Sequence, residues 1–356
     1  MRLDLGLPTP ELALQLVNIP SVSGDEKTLS DAVELALAAQ PHLRCDRDAD
    51  AIVARTNLGR ARRVVVAGHL DTVPVAGNLP GRLADGVLWG RGSVDMKGGL
   101  AAMLAAAARL VEPSSDVTWV FYDHEEVAAA KSGLGRVMRN HPDWLEADFA
   151  ILGEPTNAAL AGGCNGTLRA VVTAEGKAAH TARPWMGVNA IHKLAPALDR
   201  LVQFEPAVIR VDGLDYREAL GAVGVAGGIA ANVVPDRASL TVNYRFAPDK
   251  SEAEAARIVE ALFSGYRVEV VDSAPAARPG LSDPAIARLA AVVAAHGGGR
   301  PAAKQGWTDV ARFAAFGIPA VNLGPGDPSR AHRDDEACPA EQIDRVAAIL
   351  TEYFGG

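Results

Sequence analysis

The chain has 356 residues, of which 49% are hydrophobic and 22% charged, and its formal net charge is −8 at pH 7. This length is sufficient for two domains with a large core, and the composition excludes a disordered chain. The negative net charge argues against nucleic acid as a partner. Three cysteines without Cys-x-x-Cys spacing are typical of a reducing compartment. The N-terminus contains no sustained apolar region, so we expect neither a signal peptide nor a membrane span, and we predict a cytoplasmic protein.

Two helices and a hairpin open the predicted fold. A helix is expected near Pro10 to Val17, with proline at its first position. Ser23, with Glu26 three residues later, has the pattern of a capping box and predicts a second helix. The apolar face of this second helix comprises Leu29, Val33, Leu35 and Leu37. Residues 44–58 are expected to form a hairpin.

The first polar cluster follows a short apolar run. Residues 64–67 are Val-Val-Val-Ala, which is typical of a strand buried on both faces, and the run stops just before His69 and Asp71. In an open α/β sheet, ligands bind outside the carboxyl ends of the strands. Because the two residues are two positions apart, they point the same way on an extended segment. A carboxylate there can accept the second N–H of a metal-bound imidazole.

The same pattern recurs along the chain. Apolar runs at 117–122, 149–152 and 320–323 are followed by acidic or histidine side chains, and Asp95 leads into a predicted helix over 97–111. The polar residues that these segments bring to one sheet edge are His69, Asp95, Glu125, Glu126, Glu154 and His332. Any one of these residues alone is more often a surface group or a helix cap. Adjacent carboxylates that close an apolar run, however, require a cation nearby. Two imidazoles and three carboxylates suit two divalent ions, with zinc first and cobalt or manganese behind it.

The pattern changes after Thr156 from buried runs to alternating strands. The predicted order over residues 168–271 is strand, helix, strand, strand, helix, strand, which is the split βαβ arrangement of a ferredoxin-like unit. Ser251 with Glu254 predicts a capping box for its second helix. We therefore predict an α/β catalytic domain with a mixed sheet, formed by residues 1–165 and 277–356. A ferredoxin-like α+β domain is inserted into it at 166–276.

These motifs together resemble the M20-type di-zinc amidohydrolases and deacylases, which include acetylornithine deacetylase, aminoacylase and glutamate carboxypeptidase. The resemblance rests on Gly-His-Leu-Asp-Thr-Val-Pro at 68–74, Gly-Arg-Gly-Ser-Val-Asp-Met-Lys-Gly-Gly at 90–99, the paired glutamates, Gly-Glu-Pro-Thr at 153–156 and the late histidine. It implies that Asp95 bridges two ions, that His69 and Glu154 complete one site, and that Glu126 and His332 complete the other.

The resemblance also assigns roles beyond the ligands. It implies that Glu125 is the general base, that Asp71 orients His69, and that a cis peptide follows Asp95. In the inserted domain, the matching His180 stabilises the oxyanion, and in dimeric members of the family it does so in the neighbouring subunit's site. We therefore expect a homodimer formed through the inserted domain. The positions that match substrate contacts in the family are Arg245, Asn232, Thr308 and Arg312.

The implied reaction is hydrolysis of a small-molecule N-acyl amino acid, with no nucleic acid or membrane partner. The preferred substrate is N-succinyl-L,L-2,6-diaminopimelate, whose desuccinylation is a step of lysine and diaminopimelate biosynthesis. An N-acetylornithine or other N-acyl amino acid deacylase is the nearest alternative. A catalytically silent metal-dependent binding protein is an alternative of another class, and the presence of Glu125 beside Glu126 argues against it. A di-metal phosphohydrolase is less favoured, because no arginine or lysine cluster is present to bind a phosphoryl group.

Overall fold

The computed structural model describes residues 2–355, which divide into two compact units. The first unit comprises the chain up to Gly162, then Pro279–Ala302, and resumes at Arg312. The second comprises Gly163–Arg278 and Ala303–Ala311. The predicted catalytic domain, residues 1–165 and 277–356, differs from this division, which places 163–165, 277–278 and 303–311 in the second unit. The side chain of Gln305 bonds within the second unit, where its Oε1 accepts the Arg217 N–H at 2.9 Å.

The strands and helices are numbered in chain order through the described residues. The strands are β1 (Arg44–Asp48), β2 (Ala51–Arg55), β3 (Arg63–His69), β4 (Arg82–Ala84), β5 (Val87–Trp89), β6 (Asp116–Tyr122), β7 (Phe149–Leu152), β8 (Ala161–Gly162), β9 (Gly166–Glu175), β10 (Ala179–His180), β11 (Val208–Val211), β12 (Leu214–Arg217), β13 (Ala219–Gly227), β14 (Val233–Val234), β15 (Arg237–Phe246), β16 (Arg267–Ala274), β17 (Ala302–Ala303), β18 (Ala320–Asn322) and β19 (Ala337–Pro339). The α-helices are α1 (Thr9–Val17), α2 (Lys27–Ala38), α3 (Lys97–Arg109), α4 (Gly133–Asn140), α5 (Ala190–Lys193), α6 (Ala195–Val202), α7 (Glu252–Leu262), α8 (Pro284–Ala295), α9 (Val310–Ala315) and α10 (Ala340–Gly355).

The first unit is built on an eight-stranded mixed sheet of order β1-β2-β6-β3-β7-β18-β8-β17. The central strands β6, β3, β7 and β18 are parallel to one another, whereas β1 with β2, β2 with β6 and β8 with β18 pair antiparallel. All seven residues of β6 and all four of β7 are buried, as expected for parallel strands covered on both faces. Four strands therefore have their carboxyl ends at the same edge of the sheet, as predicted.

Helix α3 lies at the centre of this unit, and every residue from Lys97 to Ala107 is buried. It packs against α1 and α10, and its small residues permit a close approach to the sheet. A methyl group on Gly99 would collide with the carbonyl oxygen of Gly153, the residue before Glu154. The start of α3 is thus held beside the turn that follows β7. The predicted continuation to Val111 is wrong, because the helix ends at Arg109 and Val111 is exposed.

The second unit contains a four-stranded antiparallel sheet of order β13-β15-β9-β16. The helical segments α5 and α6 follow β9, and α7 follows β15, which is the predicted ferredoxin-like order. Along β15, Leu240, Val242, Tyr244 and Phe246 are buried, which confirms the predicted alternation. Strand β13 forms one edge of the sheet, and its residues are exposed except Leu220.

The capping predictions had different outcomes. Helix α7 has the predicted capping box, because Ser251 accepts the Glu254 N–H and the Glu254 carboxylate accepts the Ser251 N–H. The box predicted for α2 is wrong, since this helix begins at Lys27 and has no side-chain cap. Leu35 was also wrongly placed on the buried face of α2, because 56% of its surface is exposed.

None of the helices in the described range 2–355 has the length and apolar character needed to cross a bilayer.

Candidate metal centre

The predicted histidines and carboxylates of the first unit meet at the carboxyl edge of its parallel strands. His69 ends β3, Glu125 and Glu126 follow β6, and Glu154 follows β7. His332 is reached through a loop after β18 and adopts a positive φ of 66°. Because these side chains lie at or after the ends of four different strands, the sheet itself brings together residues more than 250 positions apart in the chain.

The His69 imidazole is fixed from both of its nitrogens. Its Nδ1 lies 2.9 Å from the backbone oxygen of Asp71. Its Nε2 lies 3.1 Å from Oδ1 of Asp95 and 3.9 Å from Oε1 of Glu154. Donation of the Nδ1 proton to Asp71 leaves the Nε2 lone pair directed toward the two carboxylates, which is the orientation a metal-ligating imidazole needs.

The Asp95 carboxylate lies between two imidazoles. Its Oδ1 faces His69, and its Oδ2 lies 3.4 Å from Nε2 of His332. The same His332 nitrogen lies 2.8 Å from Oε1 of Glu126. The peptide that follows Asp95 is cis, as the resemblance implied. Each imidazole therefore shares Asp95 and has a second carboxylate of its own.

The field of this cluster favours positive charge. Burial opposes protonation of His69, but Asp71 and Asp95 nevertheless raise its pKa well above 6.5. Hydrogen bonding to Asp95 and then to Glu126 raises the pKa of His332 to about 10. Ligand atoms of His69, Asp95 and Glu126 all lie within 4.8 Å of one another. Imidazole nitrogens and carboxylate oxygens in a region of negative potential are a donor set that fits divalent transition metals.

The side chain of Asp71 has a role that sequence reasoning missed. Its Oδ1 lies 3.5 Å from Nδ1 of His69, farther than the backbone oxygen of the same residue. The carboxylate instead accepts the N–H of Glu125 at 2.9 Å, the N–H of Glu126 at 3.0 Å and the Ser23 hydroxyl at 2.7 Å. Burial alone would raise the pKa of Asp71, but His69, the Ser23 hydroxyl and the Glu125 N–H lower it to about 2. Asp71 therefore positions the turn that carries both glutamates as well as supporting His69.

Two further acidic residues at the site were also missed. Glu26 is fully buried and accepts the N–H of His124 at 3.2 Å and that of Gly24 at 2.8 Å. Glu336 is 1% exposed and accepts backbone N–H groups of the segment that ends at Asp95. Both had sequence signals for another role. Glu26 matched a helix-capping pattern, and Glu336 ends an acidic run that is typical of an exposed loop.

The predicted residues of the second unit form two separate groups. His180 pairs with Val233 across β10 and β14, and the backbone oxygen of Asn232 accepts the Thr181 N–H at 3.0 Å, so His180 and Asn232 are neighbours. Arg245 is half-buried on β15, where its Nε donates to Oδ1 of Asn243 at 3.1 Å. Burial lowers the pKa of its guanidinium.

Thr308 and Arg312, two of the positions that match substrate contacts, belong to different units. Thr308 is 2% exposed and belongs to the second unit, where its backbone oxygen lies 3.7 Å from the Cys164 sulfur. Arg312 belongs to helix α9 of the first unit. A Cβ on Gly135 would lie 3.3 Å from one of its guanidinium nitrogens.

The α/β fold and the carboxylate–imidazole cluster are those of the metal-dependent hydrolases. Residues 65–355 match the model of Peptidase family M20/M25/M40, and the chain belongs to this family. A putative succinyl-diaminopimelate desuccinylase of Mycobacterium tuberculosis is 53% identical to the chain over 99% of its length and 100% of the relative's. A succinyl-diaminopimelate desuccinylase of Corynebacterium glutamicum is 47% identical over 96% of the chain and 95% of the relative.

Solved structures show the same fold. A tripeptidase of Staphylococcus aureus superposes with a TM-score of 0.79 at 21% identity, covering 99% of this chain and 98% of that one. A dinuclear metal-binding M20 peptidase of Bacillus subtilis superposes with a TM-score of 0.70 at 15% identity, covering 97% and 96% of the two chains.

Proposed function

We propose that this protein is a zinc-dependent amidohydrolase that removes succinate from N-succinyl-L,L-2,6-diaminopimelate in diaminopimelate and lysine biosynthesis. The observation that carries the proposal is the placement of Asp95 between His69 and His332, each of which faces a further carboxylate. The names of the two full-length bacterial relatives support the choice of substrate. A biosynthetic role of this kind supports a cytoplasmic location.

The residues present fit a pair of divalent ions. His69 and Glu154 would hold one ion, Glu126 and His332 would hold the other, and Asp95 would be shared. Neutral imidazole nitrogens and ionised carboxylates suit Zn²⁺ first and Co²⁺ or Mn²⁺ next. When bound, such ions lower the pKa of water and polarise a carbonyl group.

Glu125 is the proposed general base and acid. It precedes Glu126 directly, and Asp71 fixes its backbone at the edge of the cluster. Glu125 takes a proton from the attacking water as the amide carbonyl becomes tetrahedral. It then returns this proton to the departing amine, which releases succinate and the free diamino diacid.

His180 is the proposed oxyanion donor. The N–H of Ala182 donates to Nδ1 of His180 at 3.0 Å, so a neutral imidazole carries its proton on Nε2. This is the tautomer that can donate a hydrogen bond to a developing oxyanion.

We further propose a homodimer through the second unit, whose exposed edge strand β13 can pair with another copy. In that dimer His180 would serve the site of the partner.

Arg245 is the proposed anchor of a substrate carboxylate. Its guanidinium is half-buried, and among the described residues its side chain donates a hydrogen bond to the neutral Asn243. Arginine binds carboxylates with paired hydrogen bonds, so a substrate with two carboxylates is well suited to this position. Asn232 beside His180, Thr308 and Arg312 are further proposed substrate-binding residues.

The test is amine release by zinc-loaded protein, with N-succinyl-L,L-diaminopimelate and N-acetyl-L-ornithine compared side by side and again after chelation. Turnover of the succinyl substrate alone, abolished by chelation and restored by zinc, is the expected result. Preferential turnover of the acetyl substrate would contradict the substrate assignment and favour the other deacylases. Two bound ions with turnover of neither compound would favour a silent binding protein.

A further inference from the structure

A buried carboxylate organises the turn that precedes Asp95. Oε1 of Glu336 accepts the N–H of Val94 at 2.9 Å and the N–H of Asp95 at 3.1 Å. Its Oε2 accepts the N–H of Gly92 at 3.0 Å. Three backbone donors of one short turn therefore converge on a single side chain that lies 241 positions away from Asp95. Because the backbone N–H of Asp95 is one of the three donors, Glu336 fixes the position of the Asp95 backbone.

Arg91 connects Glu336 to the segment that carries His332. Its Nη1 donates to Oε2 of Glu336 at 2.9 Å and to the backbone oxygen of Arg333 at 3.1 Å. Its Nε donates to the backbone oxygen of Pro74 at 3.1 Å, and its surface is only 3% exposed. Arg333 directly follows His332. One guanidinium thus joins the residue beside a candidate ligand to the carboxylate that holds Asp95.

A purely structural role is a poor explanation of this pair. Burying two charges costs free energy, and well-packed apolar side chains often stabilise a fold at least as well. Here the bonds of the pair go to backbone groups of the two segments that carry Asp95 and His332. His332 also has a φ of 66°, a conformation rare for residues other than glycine, which persists only where neighbouring contacts hold it.

We propose that the Arg91–Glu336 pair is a positioning device that sets the separation between the Asp95 carboxylate and the His332 imidazole. It thereby determines the affinity for the ion that these two residues would share with Glu126. The inference rests on the proposed two-ion site. The other ion, which His69 and Glu154 would hold together with the shared Asp95, depends less on the pair, because two of its three ligands lie at strand ends of the central sheet.

The test is a calorimetric titration of chelator-treated protein with Zn²⁺, comparing the wild type with Glu336→Gln. An amide at this position places an NH₂ group against backbone donors, so the turn must move. Loss of a residue that orients metal ligands typically costs about 10- to 100-fold in metal affinity. We expect a loss of this size for one of the two ions and a change below about threefold for the other. The weakened variant should regain activity as Zn²⁺ is raised.

Glu218→Gln is the matched control. Glu218 is a buried carboxylate of the second unit that accepts the Ala247 N–H at 2.9 Å and pairs with Lys250 at 2.7 Å, so it has the same kind of environment. This variant should lose thermal stability and keep both metal affinities. If Glu336→Gln does not fold, Arg91→Lys applies the same criterion, since lysine cannot reproduce the forked donation of arginine.

The possible results separate this inference from the proposed function. Wild-type protein that binds two ions, with a variant whose two affinities are both unchanged or equally weakened, would overturn the positioning role alone. Wild-type protein that binds fewer than two ions would overturn the two-ion site and the positioning role with it.

Discussion

The carboxylate of Asp71 accepts the backbone N–H of Glu125 at 2.9 Å, and its other oxygen accepts the N–H of Glu126 at 3.0 Å. One side chain at the end of β3 therefore fixes the turn at the end of β6. The proposed base and a proposed ligand are consequently held by the same group that lies beside His69.

Asp71→Asn should reduce kcat/KM for the succinyl substrate by about 10- to 100-fold, because an amide presents an N–H group to one of the two backbone donors. Steady-state kinetics with saturating zinc measures this. Ser23→Ala is the control, since it removes one hydroxyl bond to Asp71 and leaves both backbone bonds in place. Its effect should stay below about fivefold, the equivalent of one ordinary hydrogen bond. Equal losses in the two variants would contradict the proposed role of Asp71.

Glu125→Gln and Glu126→Gln should separate proton transfer from metal binding. The first should bind two ions and lose about 10²- to 10⁴-fold in kcat, the usual contribution of a general base. The second should lose affinity for one ion. Metal analysis after gel filtration, together with kinetics, distinguishes these results. Full turnover by Glu125→Gln would eliminate it as the base.

Acid should remove a contribution that Asp116 makes to stability. Burial opposes ionisation of Asp116, but the N–H groups of Leu58 and Arg60 and the Thr56 hydroxyl lower its pKa below the ordinary 3.8. Folding therefore favours the charged form. Its contribution is fully present above the unfolded-state pKa and is lost as the pH falls through the lower folded-state value.

Asp116→Asn should accordingly lower the free energy of unfolding of the first unit by about 2 kcal/mol at pH 7, since one backbone donor then faces an amide NH₂. Thermal melts at pH 7 and below pH 4 measure the difference in stability between the variant and the wild type. This difference should be smaller at the lower pH. Asp143→Asn, at an exposed position, should change stability by less than about 0.5 kcal/mol at either pH. A stability difference between Asp116→Asn and the wild type that increased in acid would contradict this prediction.

Ser251→Ala should lower the stability of the second unit by about 1 kcal/mol, the typical cost of an N-cap. The Ser251 hydroxyl accepts the Glu254 N–H at 3.3 Å at the start of α7. Glu254→Gln is the control, because glutamine also completes a capping box. Differential scanning calorimetry should show a lower melting temperature for the first variant than for the second.

The sequence was sufficient to predict the sheet edge and the second unit, because the signals for both lie within short segments of the chain. Fully apolar runs at β6 and β7 indicated buried parallel strands, and the alternation in β15 indicated a strand with one buried face. The side chains at the ends of the runs then had to meet, because parallel strands share one carboxyl edge. Ser251 and Glu254 were predicted correctly for the same reason, since a capping box is contained within four residues.

The residues that support the cluster could not be predicted, because their partners are distant in the chain. Glu336 bonds to a turn more than 240 positions away, and nothing near it distinguishes it from Asp334 and Asp335. Ser23 and Glu26 had the spacing of a cap, and tertiary contacts with Asp71 and His124 prevailed over that local pattern.

The central claim is that Asp95 is shared by two metal ions, and anomalous diffraction from crystals of the zinc-loaded protein tests it most directly. Data collected on both sides of the zinc absorption edge should show two peaks, one beside each oxygen of the Asp95 carboxylate. One peak should lie near His69 and Glu154, and the other near Glu126 and His332. A single peak at full zinc occupancy, or peaks away from Asp95, would contradict the account.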